Sequence, residues 1–220
     1  MVNAALPAWS SVLAVVAHPD DESFGLGAVL ASFVSAGARV SVLCLTHGEA
    51  STLHGVDGDL AVIREAELAD AARTLGVHEV LLRSYPDGGL SGLELDALTA
   101  DIDSVVTDCG SDGLVVFDDT GVTGHPDHCR ATTAAVVVAR EKGLPVLAWT
   151  LPVEVANELR AEFDAPFVGH PADQIDIVLD VDRRSQREAV SCHPSQAVPG
   201  SALWRRLELL GDREYLRWLG

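Results

Sequence analysis

The sequence contains few cysteines, few basic residues and no long apolar run. Its four cysteines form no Cys-x-x-Cys pair, so we expect neither a disulfide framework nor a thiolate zinc site, and we predict reduced thiols in a cytoplasmic protein. No stretch approaches the roughly 18 apolar residues of a membrane-spanning helix. The first ten residues lack a basic segment followed by an apolar one, which argues against secretion.

Basic residues are scarce in particular: 15 arginines and lysines stand against 33 acidic residues, for a formal charge of −18. A charge of this sign repels phosphate backbones and anionic membrane surfaces. We therefore expect no nucleic-acid partner and no membrane partner. The remaining classes include small-molecule enzymes and binding proteins.

The composition and the periodicity predict an α/β fold. Of the 220 residues, 48% are hydrophobic, which is enough to bury the core of one compact domain. Short apolar runs alternate with helical patterns, and this alternation is typical of a mostly parallel sheet covered by helices on both faces, a three-layer Rossmann-like fold. The predicted strands are 12–17, 40–45, 79–82, 114–117 and 146–151, and the predicted helices are 24–36, 60–75, 93–109 and 128–141. Four glycines follow these helices, where a left-handed cap favours glycine: Gly37, Gly76, Gly110 and Gly143.

The last third of the chain is less regular. We predict helices at 154–163, 183–191 and 203–219 and a strand at 175–179. No repeat or low-complexity linker divides the sequence, so we expect a single domain over residues 1–220, with residues 152–220 as an extension that shapes the substrate pocket. Apolar residues near the end, such as Trp204, Leu207 and Leu210, suit either a docking helix or a contact between subunits of a homo-oligomer.

Two similar motifs follow the first and fourth predicted strands: AHPDDE at residues 17–22 and GHPDH at residues 124–128. In open α/β sheets, ligands bind at the carboxyl ends of the strands, where the strand order reverses. If the common order 3-2-1-4-5 applies, the first and fourth strands are neighbours and the two motifs face each other.

The residue types in these motifs suit a catalytic metal. Zinc outside thiolate sites prefers imidazole and carboxylate ligands and, in enzymes, takes three of them with one position left open. His18, Asp21 and one histidine of the second motif meet that requirement. Asp20 is then placed to take a proton from water, and the other histidine to stabilise an oxyanion or protonate a leaving nitrogen, with Asp127 setting its tautomer.

Other interpretations exist for each motif. Carboxylates at a helix start are stabilised by free backbone amides, so residues 18–22 could cap a helix, and Glu22 is assigned mainly to that role. His125 and His128 could be polar residues at a helix entry beside Pro126. The run Gly25-Leu26-Gly27 is similar to part of a dinucleotide fingerprint, but the neighbouring carboxylates would repel a pyrophosphate, so we reject that interpretation.

As an ordered set, the motifs resemble the PIG-L/LmbE-like family of zinc-dependent N-acetylglucosaminyl deacetylases. The resemblance covers most of the chain: residues 17–51 and 63–77, then SYPDGGL, TGHPDHCRA and AVSCHPSQ. It implies a Rossmann-like fold and one zinc ion per chain, with another divalent ion such as Fe²⁺ as the alternative. Thr123 stands where some members of the thiol pathways have a tyrosine that is implied to assist the oxyanion, so we do not expect close identity with those members.

The resemblance also implies a role for each site residue. The metal ligands would be His18, Asp21 and His128. The general base would be Asp20, and His125 would act as oxyanion stabiliser or general acid with Asp127 behind it. The residues implied to contact or line the substrate site are Arg64, Asp87, His193 and Gln196. The remaining histidines are expected on loops or at the surface: His47, His54, His78 and His170.

The predicted function is therefore a zinc-dependent hydrolase that removes an N-acetyl group from an N-acetylglucosamine-type small molecule. An alternative with the same metal chemistry is an amidase that acts on a larger thiol or glycan conjugate. A rival from another class is a metal-containing sugar-binding module without turnover. Asp20 argues against that rival, because a binding protein needs no base beside its metal.

Overall fold

The computed structural model describes residues 5–53, 55 and 57–220. Within these ranges, seven strands form one sheet, and helices cover both of its faces. His54, which we expected on a loop or at the surface, lies outside the described residues. None of the helices in the described ranges is both long enough and apolar enough to cross a bilayer.

The strands are β1 (Ser11–Val16), β2 (Arg39–Thr46), β3 (Glu79–Tyr85), β4 (Gly113–Phe117), β5 (Val146–Thr150), β6 (Ile177–Asp180) and β7 (Arg213–Leu219). The helices are α1 (Asp21–Phe24), α2 (Gly27–Ser35), α3 (Leu60–Leu75), α4 (Leu95–Cys109), α5 (Gly121–Gly124), α6 (Pro126–Lys142), α7 (Val153–Phe163), α8 (Arg184–Ser191) and α9 (Ala202–Leu210). Two short 3₁₀ turns lie at Leu90–Gly92 and Ala172–Gln174.

The order of the strands is β3-β2-β1-β4-β5-β7-β6. The first five are parallel, in the order that the sequence analysis assumed, while β7 runs antiparallel between β5 and β6. The carboxyl ends of β1 and β4 are therefore adjacent. The prediction of a Rossmann-like fold with a mostly parallel sheet is confirmed.

The core lies on the two faces of this sheet. Along β1, Val12, Ala14 and Val16 point to the face covered by α2, α3 and α7, whereas Leu13 and Val15 point to the face covered by α4 and α6. Burial on both faces explains why β1 is a continuous apolar run rather than an alternating one. All four glycines predicted to follow helices have positive φ, between 58° and 90°.

One predicted element is wrong. The helix expected at residues 203–219 ends at Leu210, and the chain then forms β7. Gly211, with φ 56° and ψ −133°, breaks the helix, and the alternating burial of β7 places Glu214 and Leu216 inside. The apolar residues that suggested a long helix thus serve two different elements.

Candidate metal centre and active site

The two His-Pro-Asp motifs meet at the carboxyl ends of β1 and β4. Nδ1 of His18 lies 3.2 Å from Nε2 of His128. The Asp21 carboxylate completes the group, with Oδ1 3.1 Å from Nε2 of His128 and Oδ2 3.6 Å from Nδ1 of His18. These separations are close to the roughly 3.3 Å expected between ligand atoms of a tetrahedral zinc with bonds near 2.05 Å, although each imidazole faces a different oxygen of Asp21. The three predicted ligands therefore lie together.

The outward-facing ring nitrogens determine what the inward-facing ones can do. Nδ1 of His128 lies 3.2 Å from the Gly121 carbonyl, which can only accept a hydrogen bond. Nε2 of His18 lies 3.1 Å from Asp87 and 3.4 Å from Asp127. In a neutral ring each outward nitrogen can carry the proton, which leaves Nδ1 of His18 and Nε2 of His128 as possible metal ligands. Without a metal, the same two nitrogens can donate to the Asp21 carboxylate. The donor set fits a divalent metal.

Gly121 is suited to its role beside His128. It has φ of 66°, and a Cβ at this position would lie 2.9 Å from Sγ of Cys129 and 3.3 Å from Cβ of His128. Glycine therefore lets the backbone carbonyl approach the imidazole closely.

The charges around His18 favour a cation in the same place. Burial lowers the pKa of His18, but the carboxylates of Asp127, Asp21 and Asp87 outweigh burial and raise it to about 12. Burial disfavours ionisation of the three carboxylates as well, yet the neighbouring imidazoles keep all three pKa values below the ordinary aspartate value. The centre is therefore rich in ionised carboxylates and stabilises positive charge.

Asp20 lies beside this centre in a strained conformation, with φ of 116°. Its backbone N–H donates to Oε2 of Glu22 at 2.9 Å, which helps to stabilise this conformation. Its carboxylate makes no helix-capping hydrogen bond. The carboxylate instead accepts a hydrogen bond from Nη2 of Arg64 at 2.9 Å. Burial, opposed by Arg64, raises the pKa of Asp20 to about 6. The capping interpretation thus fails for this side chain, which is free to exchange a proton near neutrality.

Arg64 is a buried residue of α3, with 3% of its surface exposed. Besides Asp20, it donates to the carbonyl oxygens of Gly48, at 2.6 Å, and of Pro19. It lines the cleft, but its contacts are those of a residue that holds Asp20 in place. Direct contact of Arg64 with substrate stays a prediction.

His125 caps the start of α6: its Nδ1 accepts a hydrogen bond from the backbone N–H of Asp127 at 3.3 Å. The proton of the neutral ring is then on Nε2. Burial, reinforced by the nearby rings of His128 and His18, lowers the pKa of His125, so the ring is neutral at pH 7. The helix-entry interpretation and the catalytic one therefore hold together, because capping uses one nitrogen and leaves the other as a donor.

The Asp127 carboxylate does not lie behind His125, as the resemblance implied. Its Oδ1 accepts a hydrogen bond from the backbone N–H of Leu90 at 3.1 Å, and its Oδ2 accepts one from Gly88 at 2.8 Å. Oδ2 also faces His18. These partners turn the carboxylate away from His125, so it is the backbone of Asp127 that sets the tautomer of His125, while its side chain orients His18.

A polar cleft of about 490 Å³ opens above the centre. It is lined by Asp20, Arg64, Asp87, His125 and Gln196 together with the three metal-binding candidates and the loop at residues 50–53. Asp87 accepts a hydrogen bond from the backbone N–H of Ala50 at 2.8 Å, and Gln196 accepts one from the Ser51 hydroxyl at 2.7 Å. Asp87 and Gln196 therefore lie where a substrate would contact them, which stays a prediction.

Contrary to what the sequence resemblance implied, His193 does not line the substrate site. It is fully buried beneath α1 and does not line the cleft. Its Nε2 lies 2.8 Å from Oε1 of Glu22, and its Nδ1 lies 3.9 Å from Oε2 of Glu67. Burial lowers the pKa of His193, but these carboxylates outweigh it and raise the pKa. His193 thus lies between two carboxylates that favour its charged form, and Glu22 pairs with it while also accepting the backbone N–H of Asp20 at the start of α1.

Replacing His193 by alanine should destabilise the protein strongly, because two carboxylates would remain buried without their cation. We expect the free energy of unfolding to fall by about 3–5 kcal/mol, measured by urea denaturation. The matched control is His78→Ala. His78 is exposed, and among the described residues only its backbone N–H, not its ring, makes a hydrogen bond. A loss below about 1 kcal/mol for His193→Ala would contradict the ion-pair assignment.

A second buried polar pair, which the sequence analysis missed, supports the loop before α6. Nε2 of His170 lies 3.1 Å from Oδ2 of Asp118, and Oδ1 of Asp118 accepts the backbone N–H of Thr120 at 2.9 Å. His170 lies on a loop, as one of the two expected possibilities had it, but it is buried, with 9% of its surface exposed, and Asp118 is fully buried. The position of Asp118 directly after β4 was the available signal. The pair holds the loop whose Gly121 carbonyl orients His128.

A second cavity, the aromatic chamber, adjoins the centre and has a volume of about 360 Å³. Asp20, Asp21 and His128 line both this chamber and the polar cleft. The walls of the chamber come from both halves of the chain: Phe24, Phe117, Val122, Trp149, Phe167, Leu203 and Arg206. The segment after residue 151 therefore contributes to the surroundings of the centre. The division into one domain with an extension stays a prediction.

The chain is similar in sequence to proteins named as deacetylases. A protein named 1D-myo-inositol 2-acetamido-2-deoxy-alpha-D-glucopyranoside deacetylase from Salinispora arenicola is 30% identical over 88% of this chain and 78% of its own length. One of the same name from Kineococcus radiotolerans is 33% identical over 66% of this chain and 50% of its own length. The match thus spans about half of some curated relatives.

Solved structures show the same fold. A teicoplanin deacetylase in a zinc-inhibited form superposes with a TM-score of 0.71 at 22% identity, covering 94% of this chain and 97% of its own. A 4-carboxy-2-hydroxymuconate hydratase from Pseudomonas putida superposes with a TM-score of 0.69 at 19% identity over 96% of both chains. At these identities the likeness shows the fold alone, and the fold is shared by different reactions.

The family is shown by the sequence match. Residues 13–139, more than half of the chain, match the PIG-L family, described as GlcNAc-PI de-N-acetylase. The predicted class of enzyme, a deacetylase that hydrolyses an N-acetyl amide bond, agrees with this match and with the names of the relatives. The chain belongs to the PIG-L family of metal-dependent deacetylases.

Proposed function

We propose that this protein is a zinc-dependent hydrolase that removes the N-acetyl group from an N-acetylglucosamine-type small molecule. The observation that carries the proposal is the meeting of two imidazole nitrogens and one carboxylate within 3.6 Å, beside an aspartate whose pKa is about 6. Imidazole and carboxylate ligands suit zinc, and Fe²⁺ is the alternative ion.

His18, Asp21 and His128 would hold the ion, and Asp87 and Asp127 would orient His18 from outside. When bound there, a zinc ion supplies Lewis acidity, which polarises an amide carbonyl and lowers the pKa of water. The buried carboxylates around His18 offset the charge of the ion. These supporting contacts explain why the loops after β1, β3 and β4 all carry polar residues.

Asp20 would act as the general base. Its pKa of about 6 leaves the carboxylate ionised at neutral pH, yet basic enough to take a proton from the attacking water. Arg64 keeps the carboxylate in place. Once protonated, the same carboxyl group can deliver its proton to the departing amine, since its pKa lies close to the working pH.

His125 would stabilise the oxyanion that forms on the amide carbonyl. With Nδ1 engaged by the helix start, the neutral ring donates from Nε2. Its ring centre lies 4.8 Å from those of both His18 and His128, so a group at the metal centre is within its reach. A donor that is already oriented needs no rearrangement as charge develops on the substrate.

The polar cleft is suited to an amino sugar. It offers Asp87 and Gln196 as acceptors and donors for hydroxyl groups, next to the metal centre. The relatives named as deacetylases act, by their names, on a 2-acetamido-2-deoxy-glucopyranoside of inositol. That name supports the glucosamine part of the proposal. A larger thiol or glycan conjugate would use the same chemistry, and nothing in the described site favours a binding module without turnover.

Acetate release tests the proposal. Protein loaded with one equivalent of zinc should release acetate from N-acetylglucosamine glycosides, including the inositol glycoside, and a chelator should abolish release. Adding zinc back should restore it, and parallel loading with Fe²⁺ would show which ion supports faster turnover. Binding of these sugars by the zinc-loaded protein without any acetate release would overturn the hydrolase proposal in favour of the binding module. The cytoplasmic location and a homo-oligomeric state remain predictions.

A further inference from the structure

Arg206 differs from the other buried arginines. The described residues include three buried arginines, Arg64, Arg183 and Arg206. Arg64 pairs with Asp20, and Arg183 pairs with Glu214. Within the same described ranges, Arg206 has no carboxylate at ion-pair distance, although it is only 8% exposed. Glu214, Asp21 and Asp20 act on this guanidinium only from beyond ion-pair distance. A buried charge without an ion-pair partner is costly, so an anion bound beside Arg206 would be stabilised.

The contacts of Arg206 leave part of its guanidinium available. Nη2 donates to the carbonyl oxygen of Phe24, and the guanidinium carbon lies 4.8 Å from the ring centre of Trp149. Nε is buried without a partner, and no acceptor among the described residues bonds Nη1. Burial lowers the pKa of Arg206 to about 10, so the group is charged at neutral pH.

Glu214, the carboxylate that raises the pKa of Arg206 most, is already engaged. The two oxygens of Glu214 accept hydrogen bonds from Arg183 and, at 2.6 Å, from Nε1 of Trp149. Glu214 thereby holds the Trp149 ring, over which the Arg206 guanidinium lies in the wall of the aromatic chamber. The arginine is therefore fixed in place as well as unpaired.

The aromatic chamber is larger than an acetyl group requires. Its volume of about 360 Å³ is roughly twelve times the ~30 Å³ share of a water molecule, which is close in size to a methyl group. The metal-binding candidates Asp21 and His128 line part of the chamber, and the rest of its wall is mainly aromatic and aliphatic. A substituent with an apolar body would fill it, and Arg206, in its wall, would meet a charged group on that substituent.

We propose that the aromatic chamber is a substrate subsite for an apolar substituent that carries a carboxylate, with Arg206 as the group that binds the carboxylate. The proposal rests on the proposed function for the position of the amide at the metal centre, and it extends the acyl group beyond acetyl. The acyl side of the amide is favoured as the source, because His125 lines the polar cleft but not the chamber, which leaves the amine and the sugar on the cleft side.

Pairs of substrates that differ only in the carboxylate test this subsite. N-glutaryl- and N-pentanoylglucosamine share their acyl length, and 4-carboxyphenyl and phenyl glycosides of N-acetylglucosamine share their aglycone. The zinc-loaded wild type should favour the anionic member of one pair in kcat/KM by about 10–100-fold, the range of a hydrogen bond to a charged group. Arg206→Gln and Arg206→Met should remove most of that preference.

The ratio within a pair does not depend on how much of a variant is folded, so a poorly folding variant still gives an answer. The matched control is Arg205→Gln on the same helix, where a partly exposed arginine pairs with Glu162 and Glu208. This control should keep the wild-type preference. An effect on the glutaryl pair places the carboxylate on the acyl side, and an effect on the glycoside pair places it on the aglycone.

Binding of free acids tests the Arg206 subsite separately from the proposed hydrolase function. Glutarate and pentanoate each offer one carboxylate to the metal, and only glutarate has a second one for Arg206. Calorimetry on the zinc-loaded protein should show about tenfold tighter binding of glutarate, lost in Arg206→Gln. Acetate release without any Arg206-dependent preference for the anionic substrates or for glutarate would overturn the subsite alone. Selective glutarate binding without hydrolysis of any amide would overturn the function and retain the subsite.

Discussion

Asp20→Asn should retain the metal and lose about 10²–10⁴-fold in kcat, the usual contribution of a positioned general base. The amide is similar in size to the carboxylate and can still meet Arg64, but it cannot take a proton from water. The metal should remain because the converging atoms belong to His18, Asp21 and His128. Steady-state acetate release combined with metal analysis measures both quantities.

Asp182→Asn is the matched control for this substitution. It makes the same chemical change in an exposed carboxylate, which pairs with Arg184 rather than with the active site. Its kcat should equal that of the parent. Unchanged turnover in Asp20→Asn would remove Asp20 from the mechanism, and loss of metal would make it part of the ligand set instead.

His128→Ala should lose both metal and activity. The substitution removes one of the two facing imidazole nitrogens, leaving His18 and Asp21 as the predicted ligands. We expect zinc content well below one per chain after dialysis and a fall in kcat/KM of at least about 10³-fold, because the reaction depends on the ion. Metal analysis and acetate release at saturating zinc measure the two effects.

The control for His128→Ala is again His78→Ala, which removes an exposed imidazole and should keep full zinc content. Near-ultraviolet circular dichroism would show that the tertiary structure of His128→Ala is intact. Full zinc content in folded His128→Ala would refute the ligand assignment and direct attention to His125, whose ring nitrogens lie in the same cluster.

The sequence predicted much of the fold because its signals are local. Helix α3 was expected at residues 60–75, which are its bounds in the structure. Asp59 caps its start by accepting the backbone N–H of Ala61 at 3.0 Å, and Gly76 ends it with φ of 77°. Such caps depend on a few neighbouring residues, so they can be recognised without knowledge of the rest of the chain.

Strand β7 shows where local signals fail. Its residues contact β5 and β6, which lie far away in the sequence, and the pairing with these strands decides its conformation. Apolar residues in a short segment suit a helix and a strand equally well, so the pattern alone favoured the wrong element. Gly211 was the local sign that α9 ends there.

The candidate site divides in the same way. The types and order of the residues in the two His-Pro-Asp motifs determined which side chains could hold a metal and which could exchange a proton, because ligand chemistry depends on residue type. Only the tertiary structure decided the directions of those side chains: Asp127 faces His18, and His193 is buried between Glu22 and Glu67. It also left Arg206, beside the aromatic chamber, without an ion-pair partner among the described residues. Orientation and charge pairing depend on contacts between distant segments, and those contacts exist only once the chain has packed.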